Sequence, residues 1–145
     1  LGVMQLMPGT AKQVAGKIGM SYTNNRSLTN PDLNIQLGTH YLGQMLRKFD
    51  GNRILASAAY NAGPGRVNQW LNPNVPFDVW IETIPFTETR NYVQNVLMFS
   101  SIYSRRMNEL QPLIYPHEQH YFAPQQVTAI QTLAAKKTIK LPENN

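Results

Sequence analysis

Carboxylates are the reactive side chains that are easiest to enumerate in this chain, because its 145 residues contain only eight of them. Asp32 lies at a predicted helix start and Asp50 in a predicted turn, where capping and the helix dipole account for the charge. Glu88 begins another predicted helix, and a carboxylate at a helix N-terminus is stabilised in its charged form. Glu88 is therefore a poor general acid without help. We expect it either to accept hydrogen bonds from ligand hydroxyls or amides, or to be an ordinary helix-end charge.

An aromatic and an amide side chain precede a glycine–proline turn within residues 58–67, A-A-Y-N-A-G-P-G-R-V. The G-P-G triplet cannot continue a helix, because proline lacks an amide donor and glycine readily adopts positive φ. The segment predicts a helix, a tight turn and a second helix from about residue 66. Tyr60 and Asn61 would lie at the edge of the turn, where a ring face and an amide suit a polar ligand. Ordinary helix capping is the alternative.

Other reaction chemistries lack the residues that they need. His117 and His120 are three residues apart with no third ligand nearby, whereas zincin histidines are four apart on one helical face. The absence of cysteine excludes disulfides and thiolate metal sites. The G-P-G turn lacks the Lys-Ser/Thr pair of a phosphate-binding loop, and no G-x-S-x-G nucleophile motif occurs. No metal or other cofactor is predicted.

Apolar residues recur at helical spacing, and no segment alternates convincingly as a strand, so the predicted fold class is all-α. Pro8 begins the first helix, and Asn30 with Pro31 provides a strong start for the longest one. Thr87 is the predicted N-cap of the last helix. The predicted helices span residues 8–18, 31–49, 54–60, 66–71 and 87–107; the predicted core positions of the last helix are Val93, Val96, Leu97, Ser100 and Tyr103.

The helical periodicity of apolar residues ends after Leu110, and prolines become frequent. Residues 1–111 are predicted to form one domain, and residues 112–145, with four prolines and no sustained period, an irregular tail packed on or beside it. A weak helix over about residues 125–137 is the exception. The net charge of +5 is spread along the chain without a basic block. It fits an anionic polymer as partner, although a solvated basic surface is the default. No nucleic-acid-binding module is recognised, no apolar run reaches transmembrane length and no signal peptide opens the chain.

Three segments, taken together, resemble motifs of the lytic murein transglycosylases with a goose-type-lysozyme-like fold. They are residues 2–8 (G-V-M-Q-L-M-P), residues 58–67 and residues 84–93 (I-P-F-T-E-T-R-N-Y-V). Their order and intervals are also similar, and the resemblance covers about residues 1–105. The I-P-F-T-E-T-R form looks most like the soluble periplasmic branch, in which the catalytic domain ends a larger ring-shaped helical protein.

The resemblance implies non-hydrolytic cleavage of the β-1,4 bond between N-acetylmuramic acid and N-acetylglucosamine in peptidoglycan. One glutamic acid protonates the glycosidic oxygen and then acts as base on the muramic C6 hydroxyl, giving a 1,6-anhydro end. The implied location is periplasmic. The implied partners are peptidoglycan glycan strands and the N-terminal helical part of the same protein.

The family's acid/base glutamate lies upstream of the first motif, in an E-S segment at a helix end, and Leu1 falls after that point. We therefore expect residues 1–111 to be a catalytic domain lacking its first helix, inactive alone and completed by preceding residues in the intact protein. A non-catalytic module that holds peptidoglycan is the alternative function.

The matching positions imply roles for nine residues. Tyr60 and Glu88 would support catalysis, Tyr60 across from the acid and Glu88 as a second groove carboxylate that orients the glycan or its peptide stem. Arg66 and Arg90 would pair with muramic lactyl-peptide carboxylates, or with Glu82 and Glu88. The remaining substrate-binding residues implied are Gln5 and Met7 beside the acid, Asn61 and Gly63 at the groove floor, and Tyr92 as a stacking or hydrogen-bonding ring.

Overall fold

The structure, a computed structural model, describes residues 1–119. Over these residues it contains helices and no strand, which confirms the predicted all-α class. The six α-helices are α1 Pro8–Lys17, α2 Pro31–Lys48, α3 Arg53–Ala62, α4 Pro64–Trp70, α5 Phe77–Thr83 and α6 Thr87–Arg106; 3₁₀ turns span Asn25–Thr29 and Pro116–Glu118. The weak helix expected near residues 125–137 lies outside the described part of the chain. None of the described helices is long and apolar enough to cross a membrane.

Side-chain caps and prolines set where the helices begin. The Oδ1 atoms of Asn30 and Asn52 accept hydrogen bonds from the amides of Leu33 and Leu55, each at 3.0 Å, at the starts of α2 and α3. Proline occupies the first position of α1, α2 and α4, where the missing amide hydrogen is not needed. The starts of α1 and α2 agree with the sequence signals, whereas α4 begins at Pro64, two residues before its predicted start.

Thr87 was the predicted N-cap of α6, and that prediction is wrong. Phe86 holds the N-cap position with extended backbone, and its carbonyl accepts the hydrogen bond from the amide of Arg90 at 2.9 Å. Thr87 is therefore already helical. The physical reason is that a carbonyl one residue earlier closes the first turn.

Helix α3 is the centre of the fold and packs against α2, α4 and α6. Small residues let these neighbours approach its backbone closely, since Ala56, Ala58 and Ala59 are all fully buried. Trp80 of α5 and Val93 of α6 complete the larger core cluster. A smaller cluster joins α1, α2 and the first 3₁₀ turn; its buried members are Leu6, Ala11, Val14, Ala15, Leu28 and Leu37.

The predicted core face of α6 is only partly correct. Val93 and Leu97 are buried, but Tyr103 is 60% exposed and Ser104 is buried instead. At about 100° per residue, Ser104 lies within about 20° of the direction of Val93, whereas Tyr103 lies about 80° away. Thr89, which was not predicted to be buried, lies on the same face as Val93.

Two other segments are more ordered than the sequence indicated. Residues 77–83 mix aromatic and β-branched residues, yet they form α5, with Phe77, Trp80 and Ile81 buried. Residues 25–29, which lie between the predicted helices, form a 3₁₀ turn that buries Leu28. In both segments buried apolar side chains find cover in the core, so tertiary packing overrides weak local preference.

The last described residues lie against the starts of α3 and α5. Glu118 is 0% exposed, and its carboxylate accepts hydrogen bonds from Arg53 Nε and Nη2, each at 2.7 Å. The backbone amide of Arg53 donates to the same carboxylate at 3.0 Å, and the guanidinium lies over the Tyr115 ring. The amide of Phe77 donates to the carbonyl of Gln119 at 3.0 Å. Glu118 therefore has a structural partner in Arg53.

Candidate active site

The three motif segments converge on one cleft of about 500 Å³. The segment that precedes α1 forms one wall, and the last turn of α3 and the first two turns of α6 form the floor. The lining residues are Leu1, Val3, Met4, Gln5, Leu6, Met7, Thr10, Tyr41, Tyr60, Asn61, Glu88 and Tyr92. Six of the nine residues implied by the motifs are thus brought together: Gln5, Met7, Tyr60, Asn61, Glu88 and Tyr92.

The wall formed by residues 1–7 is a compact turn. Gly2 and Gln5 both have positive φ, at 73° and 51°, and the Gln5 amide donates to the Gly2 carbonyl at 3.2 Å. The Gln5 side chain folds back and donates to the same carbonyl at 2.6 Å. Leu6 anchors the segment in the core, while Met7 is 70% exposed. Gln5 and Met7 are therefore both exposed at the cleft, with the Gln5 side chain held against its own turn.

Tyr60 forms the centre of the cleft floor. It lies between two other tyrosines, with ring centroids 5.2 Å from Tyr41 and 6.5 Å from Tyr92, the latter nearly parallel. Its hydroxyl donates to the carbonyl of Met4 at 2.8 Å. Burial, with smaller contributions from Tyr92 and Tyr41, raises the pKa of Tyr60 to about 12. The hydroxyl is therefore protonated at neutral pH and acts as a hydrogen-bond donor, not as a base.

The rings on either side of Tyr60 are also held in a partly desolvated environment. Burial raises the pKa of both Tyr41 and Tyr92 above the ordinary value for a phenol. Three half-buried aromatic rings along one floor give an apolar surface edged by hydroxyl groups. Such a surface suits the faces of sugar rings, because it combines apolar contact with hydrogen bonding.

Asn61 and Glu88 stand at the other side of the floor, where α3 ends and α6 begins. Thr89, which is buried, donates its hydroxyl hydrogen to Asn61 Oδ1 at 2.7 Å and so ties the two helix ends together. Glu88 lies in the first turn of α6 and is exposed to the cleft. A carboxylate at this position can accept hydrogen bonds.

Gly63, Arg66 and Arg90 are not brought to the cleft. Gly63 has φ of 92° and forms the turn between α3 and α4. Arg66 Nη1 donates to the carbonyl of Ala62 at 3.1 Å, and its guanidinium lies 5.1 Å from the centre of the Phe86 ring. The structure places Gly63 and Arg66 just outside the lining.

Arg90 likewise satisfies its guanidinium locally. Its Nη1 donates to the backbone carbonyl of Glu82 at 3.2 Å, and its Nη2 approaches the Thr87 hydroxyl at 3.4 Å. Within residues 1–119 the structure contains one ion pair, between Arg53 and Glu118. The expected pairing of Arg66 or Arg90 with the carboxylates of Glu82 or Glu88 is therefore not found in the described chain.

Sequence reasoning missed half of the lining residues, and two of these, Tyr41 and Met4, contact Tyr60 directly. Tyr41 of α2 is half-buried and packs on Tyr60. A tyrosine on an otherwise aliphatic face was the available signal, because its hydroxyl favours a polar boundary. Met4 lies inside the first motif, and its backbone carbonyl is the group that Tyr60 binds.

A second depression of about 420 Å³ lies between α5, α6 and the Leu113–Ile114 segment. It is more apolar than the cleft, and its lining includes Ile81, Leu97, Met98 and Ile102. None of the residues implied by the motifs lines it. The cleft, where segments from three parts of the chain meet with aromatic, amide and carboxylate groups, is therefore the candidate active site.

Comparison with known proteins agrees with the motifs. The family model described as Transglycosylase SLT domain matches residues 1–80, and that described as Soluble lytic transglycosylase helical domain matches residues 83–112. A soluble lytic murein transglycosylase of Salmonella typhimurium is 42% identical over 121 residues, which are 81% of this chain and 19% of that protein. Its counterpart in Escherichia coli K12 is 43% identical over 112 residues, 74% of this chain and 17% of that protein.

Solved structures of such proteins also match the fold. An inactive mutant of the lytic transglycosylase Slt from Pseudomonas aeruginosa is 56% identical with a TM-score of 0.76, and the 70-kDa soluble lytic transglycosylase in complex with bulgecin A is 40% identical with a TM-score of 0.79. Each match covers 83% of this chain and 20% of the other. This chain therefore spans about a fifth of the length of these relatives. With more than half of its residues matched by the family model, the chain belongs to the SLT transglycosylase family.

Proposed function

We propose that this chain carries the substrate cleft of a peptidoglycan lytic transglycosylase. The enzyme would cleave the β-1,4 bond between N-acetylmuramic acid and N-acetylglucosamine without water and leave 1,6-anhydro ends. The observation that carries the proposal is the convergence of residues 1–7, Tyr60, Asn61, Glu88 and Tyr92 on one cleft. Membership in the SLT family, with relatives named soluble lytic murein transglycosylases, supports the same function.

The general acid is proposed to lie in residues that precede Leu1 in the intact protein. Glu88 is the only carboxylate side chain among the described residues that lines the cleft, and it lies in the first turn of α6, outside the motif that implies the acid. Leu1 itself lines the cleft, so the residues before it would arrive there. The Pseudomonas relative was solved as an inactive mutant with a single glutamate replaced by glutamine, which indicates that one glutamate is essential in that protein.

The proposed acid would first protonate the glycosidic oxygen and then, as a carboxylate, take the proton of the muramic C6 hydroxyl. That hydroxyl attacks C1 of its own sugar, so proximity favours it over bulk water. Tyr60, Tyr41 and Tyr92 would bind the sugar faces, while Gln5 and Met7 lie on the wall beside them. Tyr60 supports the reaction by holding the carbonyl of Met4.

Polar groups at the end of the cleft would orient the substrate. Glu88 would accept hydrogen bonds from glycan hydroxyls or peptide-stem amides, and Asn61 would form part of the floor beside the Gly63 turn. Arg66 and Arg90 lie beyond the cleft, where they are candidate partners for the carboxylates of a peptide stem that extends out of it.

The intact protein is proposed to act in the periplasm, where its substrate is located, and to include an N-terminal helical part. The matched segment is only 19% of the Salmonella relative, and the much greater length of that protein supports the additional part. The proposed partners are peptidoglycan glycan strands.

Mass spectrometry of digested sacculi tests the function. The intact protein, including the residues before Leu1, is incubated with purified sacculi. We expect soluble fragments that end in 1,6-anhydro-muramic acid. Reducing ends instead would indicate hydrolysis, and retention on sacculi without any soluble product would show a binding module.

A further inference from the structure

Asn34 is a fully buried polar side chain of α2, and it binds the N-terminal segment rather than its own helix. Its Oδ1 accepts a hydrogen bond from the amide of Met4 at 2.7 Å. Its Nδ2 donates to the carbonyls of Leu1 at 2.9 Å and Leu28 at 3.1 Å. Both amide hydrogens are thus used, and a satisfied buried amide holds its partners in one arrangement.

Two glycines allow the N-terminal segment to approach α2 this closely. A β-carbon at Gly2, where φ is 73°, would collide with the Asn34 amide. A β-carbon at Gly38, one turn beyond Asn34, would lie 2.5 Å from that of Met4. Larger residues at either position would push the segment away from the helix.

Met4 is held from both sides. Its N–H donates to Asn34 of α2, and its carbonyl accepts from Tyr60 of α3 at 2.8 Å. Leu1 is held through its carbonyl by Asn34 as well. Residues 1–4 are therefore fixed in position and direction where they meet the cleft.

We propose that Asn34 is a positioning residue for the acid/base glutamate of the transglycosylase reaction. This inference rests on the proposed function, in which that glutamate lies before Leu1. Because Asn34 binds the Leu1 carbonyl, it fixes the point from which the preceding residues enter the cleft. Asn34 does not itself line the cleft, so it acts through Leu1 and Met4 and not on the substrate.

Loosening this contact should affect turnover more than binding. A misplacement of about 1 Å in a reacting group lowers the rate by about 100-fold. We therefore expect kcat to fall by about 10- to 100-fold. KM should change little, because the aromatic floor at Tyr41, Tyr60 and Tyr92 remains. A less closely held wall also admits water, so reducing ends should increase relative to anhydro ends.

The test uses the intact protein with two variants and a matched control. Asn34→Asp keeps the side-chain size and an acceptor for Met4, but it turns a carboxylate oxygen toward the Leu1 and Leu28 carbonyls. Gly38→Ala displaces Met4 without altering Asn34. Asn30→Ala is the control, because Asn30 caps the same helix one turn earlier and faces solvent.

For each variant, kcat, KM, the ratio of anhydro to reducing ends and the hydrogen–deuterium exchange of residues 1–7 are measured below the melting temperature. Asn34→Asp and Gly38→Ala should lower kcat and the anhydro ratio and speed the exchange, while Asn30→Ala should leave all three near wild type. If Asn34→Asp does not fold, Gly38→Ala provides the same comparison.

An unchanged kcat together with faster exchange would overturn the positioning role, as would an equal loss of kcat in Asn30→Ala. Unchanged exchange in both variants would show that Asn34 does not anchor the segment. A folded wild-type protein that releases no anhydro ends would overturn the proposed function instead. In that case the exchange measurement alone decides whether Asn34 holds residues 1–7.

Discussion

The two ends of α3 are fastened to the rest of the molecule by different chemistry. At its first residue, Arg53 forms a buried ion pair with Glu118. In its last turn, Tyr60 donates to the Met4 carbonyl and Asn61 accepts from Thr89, so the bonds are between neutral groups. The charged contact lies away from the cleft, and the neutral contacts form part of its floor.

This difference fits the chemistry proposed for the cleft. A carboxylic acid that must be protonated needs surroundings without cations, because a nearby positive charge lowers its pKa. Among residues 1–119, no lysine or arginine lines the cleft, and the charged lining side chain is Glu88. Hydrogen bonds between neutral groups thus hold the floor in place without lowering the pKa of the proposed acid. An arginine such as Arg53 at this end of α3 would lower that pKa and oppose protonation of the acid.

Glu118→Gln should have the largest effect on stability. Breaking a fully buried ion pair costs about 3–5 kcal/mol, and we expect about 2 kcal/mol here because water can reach Arg53. The Arg53 side chain is 25% exposed, whereas that of Glu118 is 0% exposed. Urea unfolding of the 145-residue chain measures the change. Glu109→Gln is the control, since Glu109 is exposed and should change stability by less than about 0.5 kcal/mol.

The same ion pair should make stability depend on pH. Burial raises the pKa of Glu118, but hydrogen bonds from the Arg53 side chain and from the Tyr115 and Arg53 amides outweigh it, so its pKa lies below the ordinary 4.5. A lowered folded-state pKa contributes stability above the unfolded value, and that stability is lost as pH falls through the folded value. Wild type should lose stability below about pH 4.5 more steeply than Glu118→Gln. If the free energy of unfolding falls equally steeply with decreasing pH in wild type and in Glu118→Gln, the ion pair does not make this contribution.

Tyr60→Phe tests the neutral end of α3 and should have a smaller effect on stability. It removes the hydrogen bond to Met4 and should lower the free energy of unfolding by about 1 kcal/mol. Turnover on sacculi should fall about tenfold, because the wall formed by residues 1–7 is held less closely. Tyr22→Phe is a matched control, because the Tyr22 hydroxyl donates to Asn25 at 2.9 Å outside the cleft. Unchanged release of anhydro ends by a folded Tyr60→Phe enzyme would refute a supporting role for the hydroxyl.

Local signals in the sequence were sufficient to predict most of the helices. Asn30-Pro31 combines a side-chain cap with a preset φ, and Gly63 adopts the positive φ that ends α3. The predicted core face of α6 wrongly included Tyr103, which is exposed. A repeat of three or four residues does not define where the edges of a core face lie. The short helix α5 was missed because its mixture of residues acquires a helical face only against the core.

The site could be predicted as a set of residues but not as a geometry. The three motifs indicated Gln5, Tyr60 and Glu88, and the structure brings them to one cleft. The contacts that hold them join residues far apart in the chain, such as Asn34 with Met4 and Thr89 with Asn61. Neither spacing nor periodicity identifies such partners, because a polar residue on a helix gives no signal of the loop that it will meet.

Glu88→Gln, at the start of α6 beside the last turn of α3, should have the smallest effect on stability. Its effect should appear instead in the pH dependence of kcat, which a change at the Arg53 end of α3 should not alter. Loss of a helix N-terminal charge costs at most about 1 kcal/mol. If Glu88 binds the substrate, kcat/KM should fall about tenfold, because a charge-assisted hydrogen bond contributes about 1.5–3 kcal/mol. Its negative charge should also raise the pKa of the proposed acid, so its removal should move the alkaline limb of the kcat profile to lower pH.

Asp32→Asn is the matched control for this variant, because Asp32 is an exposed carboxylate in the first turn of α2 and lies outside the cleft. It should lose a similar, small amount of stability and keep the wild-type pH profile. If the two variants have the same stability, kcat/KM and pH profile, Glu88 is only a helix-end charge and does not bind the substrate. An alkaline limb that moves only in Glu88→Gln would show that the carboxylate acts on the proton-donating group, which Glu118, at the opposite end of α3, should not influence.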